Sequence, residues 1–199
     1  MYYPFQYFPP GASMSRPRTF DQQAVADAAM RAVWEGGLVA TSVEALLQAT
    51  GLSRSSMYQC LGNREEVLKL AVQCYVDQQA AALQRLFASQ PLESALRKLL
   101  LDSAVDNHGG RGCLLFNGAN ELHDADDAVA VAVRDGLARM AAEFRAVFLR
   151  HGRSEQDSAE RSAAVMTAIA GLRTMQRAGT QGPWLRAVAQ RLAAALAAD

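Results

Sequence analysis

The sequence predicts an all-α fold of about nine helices. From Asp21 onwards, apolar residues recur at spacings of three and four, which is the period of an amphipathic helix. Runs of alternating β-branched residues, the pattern of half-buried strands, are nearly absent. Clusters of glycine and proline divide the helical pattern into separate segments. Because half of the 199 residues are hydrophobic, the chain is long enough to bury a sizeable core.

Three segments are predicted along the chain. Residues 1–15 hold five aromatic residues and no charge, and we expect a flexible N-terminal extension. The alternative is an aromatic tail that docks on its own domain or on a partner. Residues 16–62 are predicted to form three short helices, and residues 63–199 a larger helical domain.

The three short helices carry the clearest motif. The first is predicted to end at Gly36–Gly37 and the second at Gly51, and Ser53 caps the third. A tight turn between two short helices is typical of a helix-turn-helix, whose second helix enters the major groove of DNA. The first turn of the third helix is small, polar and cationic. Arg54 stands there among serines that can contact phosphates or base edges.

Six further helices are predicted after a break at Gly62. Asn63 and Glu66 have the spacing of a capping box, which opens a long fourth helix near Arg64. The later predicted helices are Glu93–Asp106, Cys113–Leu122, Asp126–Arg150, Ser158–Ala178 and a last helix that begins at Pro183.

Charge and cysteine content limit the possible functions. Lys plus Arg and Asp plus Glu both number 20, so the net charge is zero and the sequence pI is about 6.8. This excludes a uniformly basic nucleic-acid coat, so DNA contacts must come from a local patch. Three widely spaced cysteines and the lack of a signal-peptide or membrane-span pattern predict a cytoplasmic location. No catalytic motif is found, and we expect neither an enzyme nor a cofactor.

Four stretches within residues 21–70 carry a family resemblance. They are Val25-Ala-Asp-Ala-Ala through Val33-Trp-Glu-Gly-Gly, Ala40-Thr-Ser-Val-Glu-Ala-Leu, Thr50-Gly-Leu-Ser-Arg-Ser-Ser-Met-Tyr and Asn63-Arg-Glu-Glu-Val-Leu. In order, spacing and residue type they resemble the TetR (tetracycline-repressor) family of bacterial regulators. The run Arg111-Gly-Cys-Leu-Leu-Phe-Asn is similar to one branch of it. The resemblance implies a homodimeric transcriptional regulator, usually a repressor, with a C-terminal ligand-binding and dimerisation domain.

The resemblance also implies a set of DNA contacts. The matching positions are Arg18, Thr41, Arg54, Ser55, Ser56, Tyr58, Gln59 and Arg64. By position, Thr41, Tyr58 and Arg64 would contact phosphates, and the family usually has lysine where Arg64 stands. The first turn of the third helix would face the groove, and Gln59 would contact a base or a phosphate. Cys60 departs from the family, which commonly has an aromatic or basic residue there.

The charge of the N-terminal segment qualifies these contacts. Residues 16–75 carry six basic and six acidic side chains. We therefore expect weak binding to random DNA and a shallow dependence of operator affinity on salt. Specific binding would then require a dimer on two half-sites about one helical turn apart.

In this family a small molecule enters the C-terminal domain and shifts the fourth helix. The ligand-binding candidates are Cys113, Phe116, Asn117, Asn120, Met140 and Phe144. Each of the apolar side chains alone is more simply explained as core. The two asparagines are harder to explain in that way, because a buried amide needs polar partners.

The last two helices are predicted to form the dimer. Their apolar stripes consist of Val165, Met166, Ile169, Leu172, Leu185, Val188, Leu192 and Leu196. Across a two-fold axis these stripes would form a four-helix contact. The alternative is that one stripe faces its own domain.

Cys113 allows a second interpretation, as a sensor of electrophiles or oxidants, since a helix N-terminus and Arg111 both favour a thiolate. A metal site involving His108, Cys113, His123, Asp124 and Asp126 is less favoured, because the spacing matches no tight ligand pattern. Two hypotheses for the whole chain follow. The first is a ligand-responsive DNA-binding repressor, and the second is a helical ligand-binding or interaction protein whose DNA-reading module has decayed.

Overall fold

The structure, a computed structural model, describes residues 21–105, 109–123, 126–180 and 182–198. These residues form nine α-helices and no strand, which confirms the predicted all-α fold. The helices are α1 (Gln22–Gly36), α2 (Val43–Thr50), α3 (Arg54–Cys60), α4 (Arg64–Ser89), α5 (Leu92–Ser103), α6 (Leu114–Glu121), α7 (Ala128–Arg150), α8 (Glu155–Arg177) and α9 (Pro183–Ala197). The predicted extension over residues 1–15 and the predicted DNA contact Arg18 lie outside the described residues.

Local caps set the boundaries of the first four helices. Gly51 ends α2 with a φ of 68°, a left-handed conformation that favours glycine. The hydroxyl of Ser53 then accepts the backbone N–H of Ser56 at 3.1 Å and caps α3. Asn63 and Glu66 exchange two hydrogen bonds of 3.0 Å at the start of α4, so the predicted capping box is confirmed.

Most predicted boundaries lie within two residues of the observed ones, and two differ by three residues. Helix α8 begins at Glu155 rather than at Ser158, because the hydroxyl of Ser154 caps it by accepting the backbone N–H of Asp157 at 3.1 Å. Ser158 is consequently buried inside the first turns of the helix. Helix α5 ends at Ser103, before the predicted end.

The helices form two connected parts around one hydrophobic cluster. The first part, here called the head, consists of α1–α3, and the second, the body, consists of α4–α9. Within the head, Leu46 and Met57 are fully buried and hold α2 and α3 against α1. In the body, α4 packs on α7, α7 on α8, and α5 on α9. Helix α1 packs on α4 as well as on α2, so the long helix α4 connects the head to the body.

The eight residues of the predicted dimer stripes divide between the core and the surface of the protomer, and their place in an interface stays a prediction. Most of their residues are buried within the protomer: Val165, Ile169, Leu172, Leu185 and Leu196 have at most 8% of their surface exposed, and Met166 and Leu192 are half-buried. Of the eight, only Val188 is exposed. The physical reason is that the larger apolar residues of α8 and α9 face α7 and α5. The outer face instead exposes Met175, Trp184 and Val188.

Candidate functional site

Helix α3 presents one polar face outward and one apolar face inward. Met57 is fully buried beneath the helix. On the opposite side, Ser55 and Gln59 are exposed, and Tyr58 has 47% of its surface exposed. Because nearly half of the surface of Tyr58 is exposed, its side chain is available to a binding partner. The outward face therefore consists of the groups that contact phosphates and base edges in protein–DNA complexes.

Arg54, at the start of α3, pairs with Glu44 of α2. The guanidinium Nη2 lies 2.5 Å from the carboxylate Oε1, and both side chains are mostly exposed. The pKa of Glu44 lies below its ordinary value because of a hydrogen bond from its own backbone amide and, second, the bond from Arg54. An exposed ion pair contributes little stability. Arg54 can therefore exchange Glu44 for a phosphate or a guanine without a large loss.

The hydroxyls of three serines cluster at the start of α3. Ser53 Oγ lies 3.0 Å from Ser55 Oγ and 2.8 Å from Ser56 Oγ. Ser56 is half-buried, whereas Ser55 is exposed. The cluster thus holds the first turn rigidly and leaves one hydroxyl facing solvent.

Two of the predicted phosphate contacts have partners inside the head. Thr41 is buried, and its hydroxyl donates to the carbonyl of Gly37 at 2.6 Å. Arg64 is half-buried and donates from Nε to the carbonyl of Thr41 at 2.8 Å. Its Nη2 donates to the carbonyls of Leu38 at 2.8 Å and Val39 at 2.9 Å. In the structure, both side chains fix the turn between α1 and α2 rather than face solvent.

The six predicted ligand-binding residues line two adjoining cavities in the body. An apolar cavity of about 50 Å³ is lined by Cys113, Phe116, Met140 and Phe144. A more polar cavity of about 290 Å³ is lined by Cys113, Phe116, Asn117 and Asn120. Cys113 and Phe116 border both spaces. The structure therefore places the predicted residues around two neighbouring cavities that share part of their walls, and not around a single pocket.

Arg173 of α8 also borders both cavities, and the sequence analysis missed it. Its Nη1 lies 3.4 Å from the hydroxyl of Tyr75 and 3.5 Å from the carbonyl of Gly112. Only the packing of α8 against α7 and α5 places this guanidinium at the cavities. No local pattern around Arg173 distinguishes it from the other arginines of α8.

Tyr75 lines the apolar cavity and contacts Cys113 and Arg173, two residues that border both cavities. It is almost fully buried, and its hydroxyl donates to Cys113 Sγ at 3.4 Å. Burial raises the pKa of Tyr75 far above its ordinary value, so the phenol remains a neutral donor. Cys113 is thus a buried sulfur with a hydrogen-bond donor beside it.

The predicted asparagines differ in their surroundings. Asn117 is half-buried, and its Nδ2 donates to the carbonyl of Arg111 at 2.8 Å, which fixes the loop before α6. Asn120 is exposed at the rim of the polar cavity. Asn117 therefore has the polar partner that a partly buried amide requires.

Several contacts connect the cavity walls to the head. Arg111 pairs with Glu35 of α1 at 2.9 Å, and its guanidinium lies 4.8 Å from the centre of the Trp34 ring. Trp34 in turn packs edge-on against Tyr75, with ring centroids 5.1 Å apart. These contacts connect the loop before α6 to the end of α1.

Helix α6 makes two further contacts with the head. The carboxylate of Glu121 accepts the backbone N–H of Val39 at 3.0 Å. Gly118 lies so close to the head that an added Cβ would stand 2.5 Å from Leu38 Cδ1. Glu121 also lines the polar cavity, so one residue contacts both the ligand candidate site and the head.

The other two cysteines have different environments. Cys60 is exposed on α3. Cys74 is buried, and its Sγ lies 3.1 Å from the carboxylate of Asp27. Burial, followed by the effect of Asp27, raises the pKa of Cys74 to about 11. The pKa of Asp27 is lowered, chiefly by the same thiol.

The alternative of a metal site requires several ligating side chains close together. Among residues 21–105, 109–123, 126–180 and 182–198, no three His, Cys, Asp or Glu side chains are arranged to hold a metal ion. His108 and Asp124, two of the imagined ligands, lie outside these ranges. Within the same ranges, no helix is both long and apolar enough to cross a membrane.

Fold and site together define a class: a helix-turn-helix head on a helical body that contains cavities. No family model matches the chain. The transcriptional repressor ComR of Escherichia coli is 31% identical over 115 residues, which are 55% of each chain. The uncharacterised regulator YezE of Bacillus subtilis is 28% identical over 121 residues, 59% of this chain and 62% of that protein. The matched part thus spans little more than half the length of these curated relatives.

A solved structure matches over more of the chain. It is a cysteine-substituted form of the TetR-family regulator CifR, in complex with a 26-bp double-stranded operator DNA. It is 25% identical, has a TM-score of 0.70, and the alignment covers 90% of this chain and 99% of CifR. The chain is thus similar in fold and in part of its sequence to TetR-family transcriptional regulators.

Proposed function

We propose that the chain is a cytoplasmic, ligand-responsive transcriptional repressor that binds a palindromic operator as a homodimer and is released by a small molecule. The observation that carries the proposal is the outward face of α3. There Tyr58 and Gln59 are exposed, while Met57 is buried beneath them and fixes the orientation of the helix. This arrangement suits insertion of α3 into a major groove.

The head offers few cations for unspecific DNA binding. Arg54 is paired with Glu44, and Arg64 is engaged with three backbone carbonyls. Few phosphates are then neutralised per protomer, and the salt dependence of binding is shallow. Specific affinity must come from base contacts and from two heads acting together.

The homodimer is proposed to form through the outer face of α8 and α9. Met175, Trp184 and Val188 have between 39% and 50% of their surface exposed there. Exposed apolar residues on two helices that pack against each other are suited to a two-fold, four-helix contact. Val188→Glu would place a charge in this contact, and we expect a monomer by sedimentation at micromolar concentration.

The matched control is Val131→Glu, because Val131 is equally exposed but lies on α7. We expect this variant to remain a dimer. A dimer in both variants, or a monomer in both, would contradict the assignment of the interface to α8 and α9.

The response to a ligand is proposed to start at the two cavities. Their walls include the loop before α6, which contacts the head through Arg111 and Glu35. A ligand that prefers a different position of this loop lowers operator affinity by its difference in affinity for the two arrangements. An electrophile is a second candidate effector, because Cys113 borders both cavities. An electrophile response that survives Cys113→Ala would end that version of the proposal.

The competing hypothesis is a helical ligand-binding protein whose head no longer reads DNA. The two hypotheses differ in operator preference. The first experiment is therefore a fluorescence-anisotropy titration against DNA from upstream of the protein's own gene, with scrambled DNA as the control. If this segment is not preferred, selection from a random DNA library follows. Failure to enrich any palindromic sequence would refute the proposed function.

Two variants assign the binding to α3. Gln59→Ala and Tyr58→Phe remove polar groups from its exposed face. We expect Gln59→Ala to lower operator affinity by about fivefold to 150-fold if Gln59 contacts a base, since a base contact contributes about 1–3 kcal/mol. For Tyr58→Phe we expect a loss of about twofold to tenfold, since a neutral hydrogen bond, here to a phosphate, contributes about 0.5–1.5 kcal/mol. Gln156→Ala is the matched control, because Gln156 is an exposed glutamine at the far end of the body. Equal affinity in all three variants would show that α3 does not read the DNA.

A further inference from the structure

The hydrogen-bond partners of Arg173 are unusual for a half-buried cation. A guanidinium remains protonated in proteins and loses hydration energy when it is covered. Its contacts at 3.4 Å and 3.5 Å, to the Tyr75 hydroxyl and the Gly112 carbonyl, are long and involve neutral groups. Among the residues that the structure describes, no carboxylate lies within 4.0 Å of it. Arg173 therefore has a position available for an anion.

The polar cavity next to Arg173 is suited to an anionic group. Arg173, Arg177 and the hydroxyl of Thr174 line it on the α8 side. The carboxylate in its wall, Glu121, already accepts the backbone N–H of Val39 at 3.0 Å. Two cations against one engaged carboxylate give the cavity a positive potential, which favours a negative ligand group.

The apolar cavity on the other side of Arg173 is suited to a hydrocarbon group. Leu83, Leu137, Ile169 and Phe144 are among the apolar residues that line it, and Tyr75, Gln79 and Arg173 are its polar members. Its volume of about 50 Å³ holds no more than a few water molecules. Two methionines, Met140 and Met166, stand in its wall, and their flexible side chains allow the space to widen around a ligand.

We propose that the effector is an amphiphilic carboxylate, with its carboxylate on Arg173 and its apolar part between α4, α7 and α8. This inference rests on the proposed function, whose effector it specifies. The planar guanidinium matches a carboxylate through two parallel hydrogen bonds, which makes this head group a better match than a neutral one. Because Arg173 borders both cavities, a ligand that occupies both must carry an anionic group and an apolar group in one molecule.

Binding of the carboxylate at Arg173 also explains how the ligand could alter the contact between the body and the head. The anion competes with Tyr75 and Gly112 for the donors of Arg173. Gly112 adjoins Arg111, whose ion pair with Glu35 connects the loop to α1. Release of the Gly112 carbonyl thus frees the loop whose position sets the contact with the head.

The test measures ligand binding directly, without DNA. Purified full-length protein is titrated by isothermal calorimetry with octanoate and phenylacetate, and with octanamide and phenylacetamide as neutral analogues. We expect at least one carboxylate to bind and its amide to bind more weakly by about tenfold to a hundredfold, the range of a charge-assisted hydrogen bond. No binding of either carboxylate at millimolar concentration, or equal binding of acid and amide, would overturn the inference.

Variants assign the carboxylate to Arg173. Arg173→Met keeps the length of the side chain without its charge, and we expect it to weaken binding of the acid about tenfold or more while the amide is unaffected. Arg173→Lys restores part of the affinity and serves as the check that position 173 tolerates substitution. Arg97→Met on the exposed face of α5 removes a charge elsewhere, and we expect no change. Full acid binding by Arg173→Met would overturn the assignment.

Failure of this inference is distinguishable from failure of the proposed function. A protein that prefers a specific operator but binds neither carboxylate overturns only the effector class. A protein that binds a carboxylate through Arg173 but enriches no DNA sequence retains the site and loses the proposed function.

Discussion

Arg64 provides a sharp test of how the head is held together. Its position in the sequence implies a phosphate contact, whereas the structure shows three hydrogen bonds to the carbonyls of Leu38, Val39 and Thr41 at 2.8–2.9 Å. These carbonyls belong to the turn that positions α2. Replacing Arg64 by alanine removes all three bonds at once, so the two roles predict different consequences.

The magnitude follows from the partners. A hydrogen bond to a charged group contributes about 1.5–3 kcal/mol to stability. The three bonds share one half-buried cation, and water can replace part of them at the exposed Val39. We therefore expect Arg64→Ala to lower the free energy of unfolding by about 2–4 kcal/mol, less than the sum of three independent bonds. This is a large share of the ~5–15 kcal/mol that stabilises a typical domain.

The assay combines urea unfolding at fixed protein concentration with operator titrations at several salt concentrations. For Arg64→Ala we expect lower stability, weaker operator binding and an unchanged salt slope. Lys69→Ala is the control, because it removes an exposed cation from the same helix and should change stability by less than about 0.5 kcal/mol. Arg64→Lys keeps the charge but lacks the planar fork, and we expect an intermediate stability.

The opposite pattern would refute this account of Arg64. A phosphate contact predicts that Arg64→Ala leaves the free energy of unfolding unchanged and reduces the salt slope by about one. It also predicts that Arg64→Lys resembles the original protein, since lysine is the usual residue of the family at this position.

Two further perturbations test the contacts between head and body and the environment of a buried thiol. Gly118→Ala gains about 1 kcal/mol of helix propensity but places a Cβ 2.5 Å from Leu38 Cδ1, an overpacking that costs about 1–3 kcal/mol. We expect equal or lower stability and weaker operator binding, and a variant that is more stable with unchanged binding would contradict this contact. Cys74 has a pKa of about 11, so its thiolate is scarce at pH 8, and we expect a thiol reagent to label exposed Cys60 much faster. Asp27→Asn removes one cause of the raised pKa and should speed labelling of Cys74, and an unchanged rate would show that burial alone protects it.

Short-range chemistry determines the order and the ends of most helices. The sequence therefore predicts these features well. The capping box of Asn63 and Glu66 and the left-handed Gly51 act within four residues of the chain, so their pattern is visible in the sequence. The early start of α8 is an exception. It depends on Ser154, a cap of the same kind that precedes the predicted start at Ser158.

The ligand candidates were only partly predictable. Cys113 and Phe116 stand on a short helix with an evident inward face, and both border the cavities. Arg173 borders the same cavities but looks in the sequence like any solvated arginine of α8. Its position depends on contacts with Tyr75 and Gly112, which are 98 and 61 residues away along the chain.

The sequence by itself determined the all-α class, the helix-turn-helix and the polar outward face of α3, because helix period, caps and turns are local. Only the tertiary structure decided which side chains of α8 and α9 are core and which remain on the surface. An apolar stripe shows that a helix has a buried face, but not whether that face meets its own domain or a second protomer. The same holds for Arg64, since a cation at a helix start can bind a phosphate or cap a neighbouring turn. Carbonyls 23 to 26 residues away along the chain decide between the two in this fold.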